Sequence, residues 1–153
     1  MSDLQIHRFN GTERFVIGSA RCFTVGSGDD LTLWFEIETV ADGAQQCSDT
    51  SDHPATPNAE LGISVSDFNI DDFVGHEFDH MGIESDDEDS CMSLFYYYEH
   101  QPLRNNHVTI LSRSGDRTFR IRWTARTQDV NYYDGSKPDA QVEIECDFDV
   151  RPS

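Results

Sequence analysis

The sequence is poor in positive charge. It has one lysine, Lys137, and ten arginines against 29 Asp plus Glu, for a net charge of −18 over 153 residues. Such a chain cannot neutralise many phosphates or release their counterions, so nucleic acid is not an expected partner. An anionic membrane surface is disfavoured for the same reason. No apolar run approaches the 18 residues of a membrane-spanning helix. The opening stretch MSDLQIHRFNGTERF has no apolar core of an export signal. A cytoplasmic protein is the expectation. Four cysteines, Cys22, Cys47, Cys91 and Cys146, form no C-x-x-C pair and match no zinc ribbon or knuckle. Reduced thiols are therefore expected. Gly26-Ser27-Gly28 lacks the spacing of a nucleophile elbow. Lys137, in a Gly-Ser-Lys-Pro turn, belongs to no phosphate loop.

What the chain does have is alternation. In Val142-Glu143-Ile144-Glu145-Cys146-Asp147-Phe148-Asp149-Val150, apolar and acidic residues take turns over nine positions. Successive strand side chains point to opposite faces, so this is a half-buried strand with four carboxylates outward. Phe119 to Arg126 mirrors it, with Phe119, Ile121, Trp123 and Ala125 inward and Arg120, Arg122 and Arg126 outward. Antiparallel pairing of the two across 127–140 would set arginine beside carboxylate, and a slip of one residue would bury charge. Leu31–Thr39 alternates in the same way, and Phe15–Val25 reads as a long strand with a bulge at Gly18. Leu61–Ser66, Met92–His100 and His107–Ser112 are further strands, with turns at Asn105-Asn106 and Ser114-Gly115-Asp116. The tyrosines 96 to 98 read as strand residues with rings on both faces. A chain of 153 residues suits one domain. The expected fold is all-β, an antiparallel β-sandwich or open barrel, as a single domain over 1–153.

Two segments break the alternation. Residues 42–60 are polar, contain two prolines and read as a long mobile loop. In 67–83, Ile70, Phe73, Val74, Phe78 and Met81 recur at three- and four-residue spacing, which predicts one short α-helix near 69–82.

That helix would carry His76-Glu77-Phe78-Asp79-His80, the H-E-x-x-H spacing of zinc hydrolases. On a helix, His76 and His80 share a face and can bind one zinc while Glu77 acts as general base. Third ligands would come from Glu84, Glu99 or His100. The surroundings fit poorly. Asp79 is charged where such motifs prefer neutral residues, Gly75 interrupts the helix, Gly82 falls early and position 86 is Asp. No second helix supports the first. Calcium is the other metal alternative, at Asp86-Asp87-Glu88-Asp89 or Asp129–Gly135, although neither follows the EF-hand order.

The most definite surface feature is acidic: Glu143, Glu145, Asp147 and Asp149, joined by Glu36 and Glu38. Two roles follow for this face. It can pair internally with the arginines, or it can dock a basic protein. Organism-wide salt adaptation is a separate source of such acidity. A non-enzymatic acidic interaction module with a basic protein partner is the leading functional expectation. A zinc-dependent hydrolase is the alternative from another class, and a weakly calcium-binding sandwich the second alternative.

Overall fold

The computed structural model describes residues 2–81 and 93–151. The chain forms β1 (Asp3–Arg8), β2 (Gly11–Val25), β3 (Leu31–Gln45), β4 (Asn58–Val65), β5 (Glu77–His80), β6 (Ser93–Tyr97), β7 (Glu99–Pro102), β8 (Arg104–Arg113), β9 (Thr118–Thr127) and β10 (Ala140–Arg151). All ten lie in one sheet in the order β5-β8-β9-β10-β1-β2-β3-β4-β6-β7. Neighbours are antiparallel, except that β10 also pairs parallel with β2 beyond the end of short β1, Asp149 to Arg151 lying against Arg21 to Phe23. The sheet curls on itself without closing. Phe35 of β3 meets Phe148 of β10 and Phe78 of β5 with ring centroids 6.1 and 6.2 Å apart, although these strands are not neighbours. The architecture is therefore all-β, an open barrel around one core.

Alternation builds that core. Leu33, Phe35 and Ile37 of β3, Ile121 and Trp123 of β9, and Ile144, Cys146 and Phe148 of β10 are all buried. Burying a side chain of this size stabilises by about 1.5–3 kcal/mol. β9 and β10 pair in the expected register, with Arg122 opposite Glu145 and Arg120 opposite Asp147. Gly18 is the bulge in β2: the register shifts between Ile17 and Ser19, and a Cβ at this position would lie 2.6 Å from Val40. Among the buried polar side chains, Asn106 is accommodated because both its amide nitrogen and its oxygen are hydrogen-bonded. Its amide nitrogen donates to the carbonyls of Leu103 and His80 and to Ser93 Oγ, and its oxygen accepts from Trp123 Nε1 at 2.9 Å.

The α-helix expected near 69–82 is not there. A single 3-10 turn spans Ile70–Asp72, capped by the Asn69 side chain, and Glu77–His80 is edge strand β5, paired with β8. Of the supposed apolar face, Phe73 is buried, Ile70 and Phe78 are half-buried, and Val74 and Met81 face water. Asn105-Asn106 is not a turn but a bulge inside β8, with Asn105 at φ 52°. The single strand expected over Met92–His100 is a tight hairpin from Ser93 onward, reversing at Tyr98 (φ 65°). Tyr96 points outward and Tyr97 inward, as expected. The polar span between β3 and β4 narrows to 46–57, and Asp49 and Thr50 at its centre are tied to the barrel. No described helix is long and apolar enough to cross a membrane.

Candidate interaction face

The acidic ladder lies where the alternation placed it, on the outside of β10, but arginines of β9 and β2 stand in its midst. Arg122 donates to Glu143 at 2.7 Å and Arg120 to Glu145 at 3.0 Å, with Asp147 3.8 Å away. His7 lies 2.8 Å from Glu143, and Arg151 donates to Asp149 at 2.7 Å. Arg21 donates to Glu36 at 2.8 Å. The β9–β10 contacts include diagonals, because the long arginine reaches a carboxylate two positions along as easily as the one opposite. Hydrogen bonds from His7 and Arg122 hold the Glu143 carboxyl below the usual carboxylate range. Of the six expected face residues, only Glu38 lacks an ion pair among the described residues.

Unpaired acidity lies elsewhere, along a division of the chain that net charge conceals. Residues 22–103 hold 19 of the 29 carboxylates and not one Lys or Arg. The remaining residues hold 10 carboxylates and all 11 cations. In space the division is orderly. Every cation sits on β8, β9, β10, β1 or β2, or on a loop joining two of them, and these five strands are contiguous in the sheet. The acidic strands flank them, with β5 on one side and β3-β4-β6-β7 on the other.

The outer face of that second flank can be read row by row from the register. Glu36 stands opposite Glu60, and Glu60 opposite Leu94; Glu38 stands opposite Asn58, and Asn58 opposite Tyr96. Trp34 lies one row along, opposite Phe23 of β2 and Gly62 of β4. Two like charges directly opposed on paired strands repel. Glu60 has no ion pair among the described residues, and Arg21 reaches only Glu36. This face thus combines unpaired carboxylates with half-exposed aromatic rings, the combination that attracts guanidinium and ammonium groups. No protein-family model, curated protein or solved structure matches the chain. Its function must be read from such surfaces.

Among the described residues, no group of three metal-ligand side chains includes His76, Glu77 or His80. From Glu77 to His80 the backbone is extended, covering roughly 10 Å at about 3.3 Å per residue. The helical face that would bring His76 and His80 together is absent. Glu77 and Asp79 instead share the outer side of β5 and grip His107 of β8, at 3.2 and 2.6 Å from its two ring nitrogens. The bond to Asp79 raises the His107 pKa above its ordinary value; burial opposes it, and the bond to Glu77 adds a smaller rise. His76 packs edge-on to Phe73 and Phe78. Glu99 and His100 lie on β7 at the opposite edge of the sheet. Glu84, Cys91 and the Asp86–Asp89 calcium candidate lie outside the described residues. In the other calcium candidate, Asp129 is committed to Arg8 and Asp134 accepts from the amide of Ser136.

A buried ion cluster escaped the sequence reading. Arg8, at the third inward position of β1 after Leu4 and Ile6, donates to Glu13 at 2.8 Å, to both oxygens of Asp129 at 2.9 Å and to both of Asp49 at 2.7 Å. Thr50 and Tyr97 complete Glu13, at 2.7 and 2.5 Å. Burial opposes the charged guanidinium, but hydrogen bonds to Asp49, Asp129 and Glu13 outweigh it and raise the Arg8 pKa. The Arg8 bond, with help from Asn10 and Asn131, holds Asp49 far below the usual carboxylate range. Glu13, Cys47 and Asp49 have ligand-type atoms within 4.8 Å of one another. Both carboxylates already bind Arg8, so the trio is part of a completed ion-pair cluster. Its signal was in the alternation: Arg8 and Glu13 occupy apolar-face positions of two strands joined by a short turn. Burial pushes the Cys146 thiol up to about 12 and raises that of Cys22 as well, so both act as packing.

Proposed function

We propose that this protein is a non-enzymatic acidic interaction module that docks a basic protein partner through the outer face of β3, β4 and β6. The observation that carries this reading is the charge division: 19 carboxylates and no Lys or Arg over 22–103, against near balance elsewhere. A charge pattern that served only solvation would have no reason to confine every Lys and Arg to five contiguous strands and their loops. Glu36, Glu38 and Glu60 are the docking carboxylates, and Trp34 and Tyr96 supply flat apolar area beside them. The ladder residues Glu143, Glu145, Asp147 and Asp149 set the register of β10 against β9 rather than the partner's affinity.

The test uses an arginine-rich dodecapeptide, titrated calorimetrically at 50 and 300 mM NaCl. Binding should weaken about tenfold across that range, since exposed charges are screened beyond a Debye length. The triple variant Glu36→Gln/Glu38→Gln/Glu60→Gln should abolish it, and Glu145→Gln/Asp147→Asn should leave it within about twofold. Equal losses from both sets, or affinity indifferent to salt, would refute the assignment.

A further inference from the structure

We infer that the cavity between the β3–β4 end of the barrel and β5 is a second cation site, which takes the alkylammonium group of a ligand. The cavity measures about 370 Å³. Its wall is a run of touching rings: Phe68 and Phe73 at 5.0 Å between centroids, Phe73 and Phe78 at 6.3 Å, and His76 at 6.4 and 6.1 Å from Phe73 and Phe78. Phe73 is fully buried and anchors the set, while Phe68 and Phe78 are half-buried and keep a wet side. Asp67 and Asp72, both exposed, belong to the same lining. No Lys or Arg lines it, and the whole lining falls inside the cation-free stretch.

The chemistry of the walls selects the ligand. Ring faces carry negative quadrupole potential, which holds a weakly hydrated cation better than a strongly hydrated one. Carboxylates at the rim add attraction of the same sign and exclude anions. An apolar molecule would gain the rings but nothing from the exposed carboxylates of Asp67 and of Asp72, which lies 4.0 Å from His76 Nε2. A carboxylate or phosphate would be repelled. An alkylammonium, from a primary amine to a quaternary nitrogen, satisfies both parts. This goes beyond the docking face on β3, β4 and β6, and rests on that reading only for the sign of the partner's charge.

Choline and its neutral isostere 3,3-dimethyl-1-butanol separate charge recognition from simple filling. Both are titrated into the intact chain at pH 8 and followed by amide chemical-shift changes. Choline should shift the amides of Leu33 and 64–78, which supply the cavity lining, and the isostere should bind about tenfold more weakly. Asp67→Asn/Asp72→Asn, both on exposed side chains, should weaken choline about fivefold with the fold intact. Phe68→Leu, which keeps the bulk and removes the ring, should do the same. Equal binding of both probes, or no shifts at Leu33 and 64–78, would overturn the assignment. Loss of choline binding with the arginine peptide still bound would end this inference and leave the docking face standing. The reverse result would do the opposite.

Discussion

Arg8 shows what one buried cation asks of its surroundings. Its side chain is fully enclosed, as are those of Glu13 and Asp129, while Asp49 keeps about a fifth of its surface wet. Removing one member of such a set costs more than the set contributes, because the others stay buried and uncompensated. Arg8→Met should therefore destabilise by about 3–5 kcal/mol in urea denaturation. Adding Glu13→Gln and Asp129→Asn to it should recover a large part of the loss, since neutral amides tolerate burial better than lone carboxylates. No recovery would mean that the cluster's worth lies in geometry rather than charge. The pH dependence follows from Asp49. Its folded pKa is depressed, so its contribution is complete above the ordinary carboxylate value near 4 and declines as pH falls toward the folded value. An acid titration of stability should thus be steeper below about pH 4 in the native chain than in Asp49→Asn.

Among the elements, β5 is the most instructive. Four residues are too few to display a period, and the apolar spacing of 70–81 imitated a helix. Phe73 enters the core from a turn and Phe78 from a strand, so residues that seemed to share one face arrive by separate routes. The long strands were legible because β3, β9 and β10 repeat apolar–polar alternation over many residues. The hairpin at Tyr98 was not, because nothing in Tyr-Tyr-Tyr marks a reversal. At the reversal the Tyr98 hydroxyl donates to the carbonyls of Thr50 and His53, partners distant in sequence. The pairing of the acidic ladder with the β9 arginines was legible from the matched alternation, whereas the opposition of Glu36 and Glu60 on β3 and β4 was not, since that depends on which strands become neighbours. β5 is held to β8 partly by His107 between Glu77 and Asp79. The His107 pKa is raised, so this contribution is complete below the ordinary histidine value near 6.5 and is lost as pH rises through the folded value. Hydrogen exchange at β5 amides, corrected for intrinsic rates, should show more protection at pH 6 than at pH 9. Asp79→Asn should remove most of that difference, while exchange in β9 and β10 stays unchanged.

At the scale of the molecule, the uneven charge opposes folding in one half of the sheet and assists it in the other. On β9 and β10, opposite charges alternate across the strands, so neutralising one removes an attraction. On β3 and β4, Glu36, which Arg21 pairs, faces Glu60, which has no ion pair among the described residues, so neutralising Glu60 removes a repulsion. Similar substitutions should therefore have opposite signs. Glu145→Gln should destabilise by about 0.2–1 kcal/mol at low salt, and Glu60→Gln should stabilise by a similar amount. Added salt provides an independent check. Screening relieves the repulsion among carboxylates of 22–103 more than it weakens the short ion pairs of β9 and β10. Raising NaCl from 20 to 500 mM should therefore increase native stability, and the gain should shrink in Glu60→Gln. A chain whose stability fell with salt would have its net electrostatics governed by the arginine ladder. The carboxylates of β3 and β4 would then store no repulsion for a basic partner to relieve.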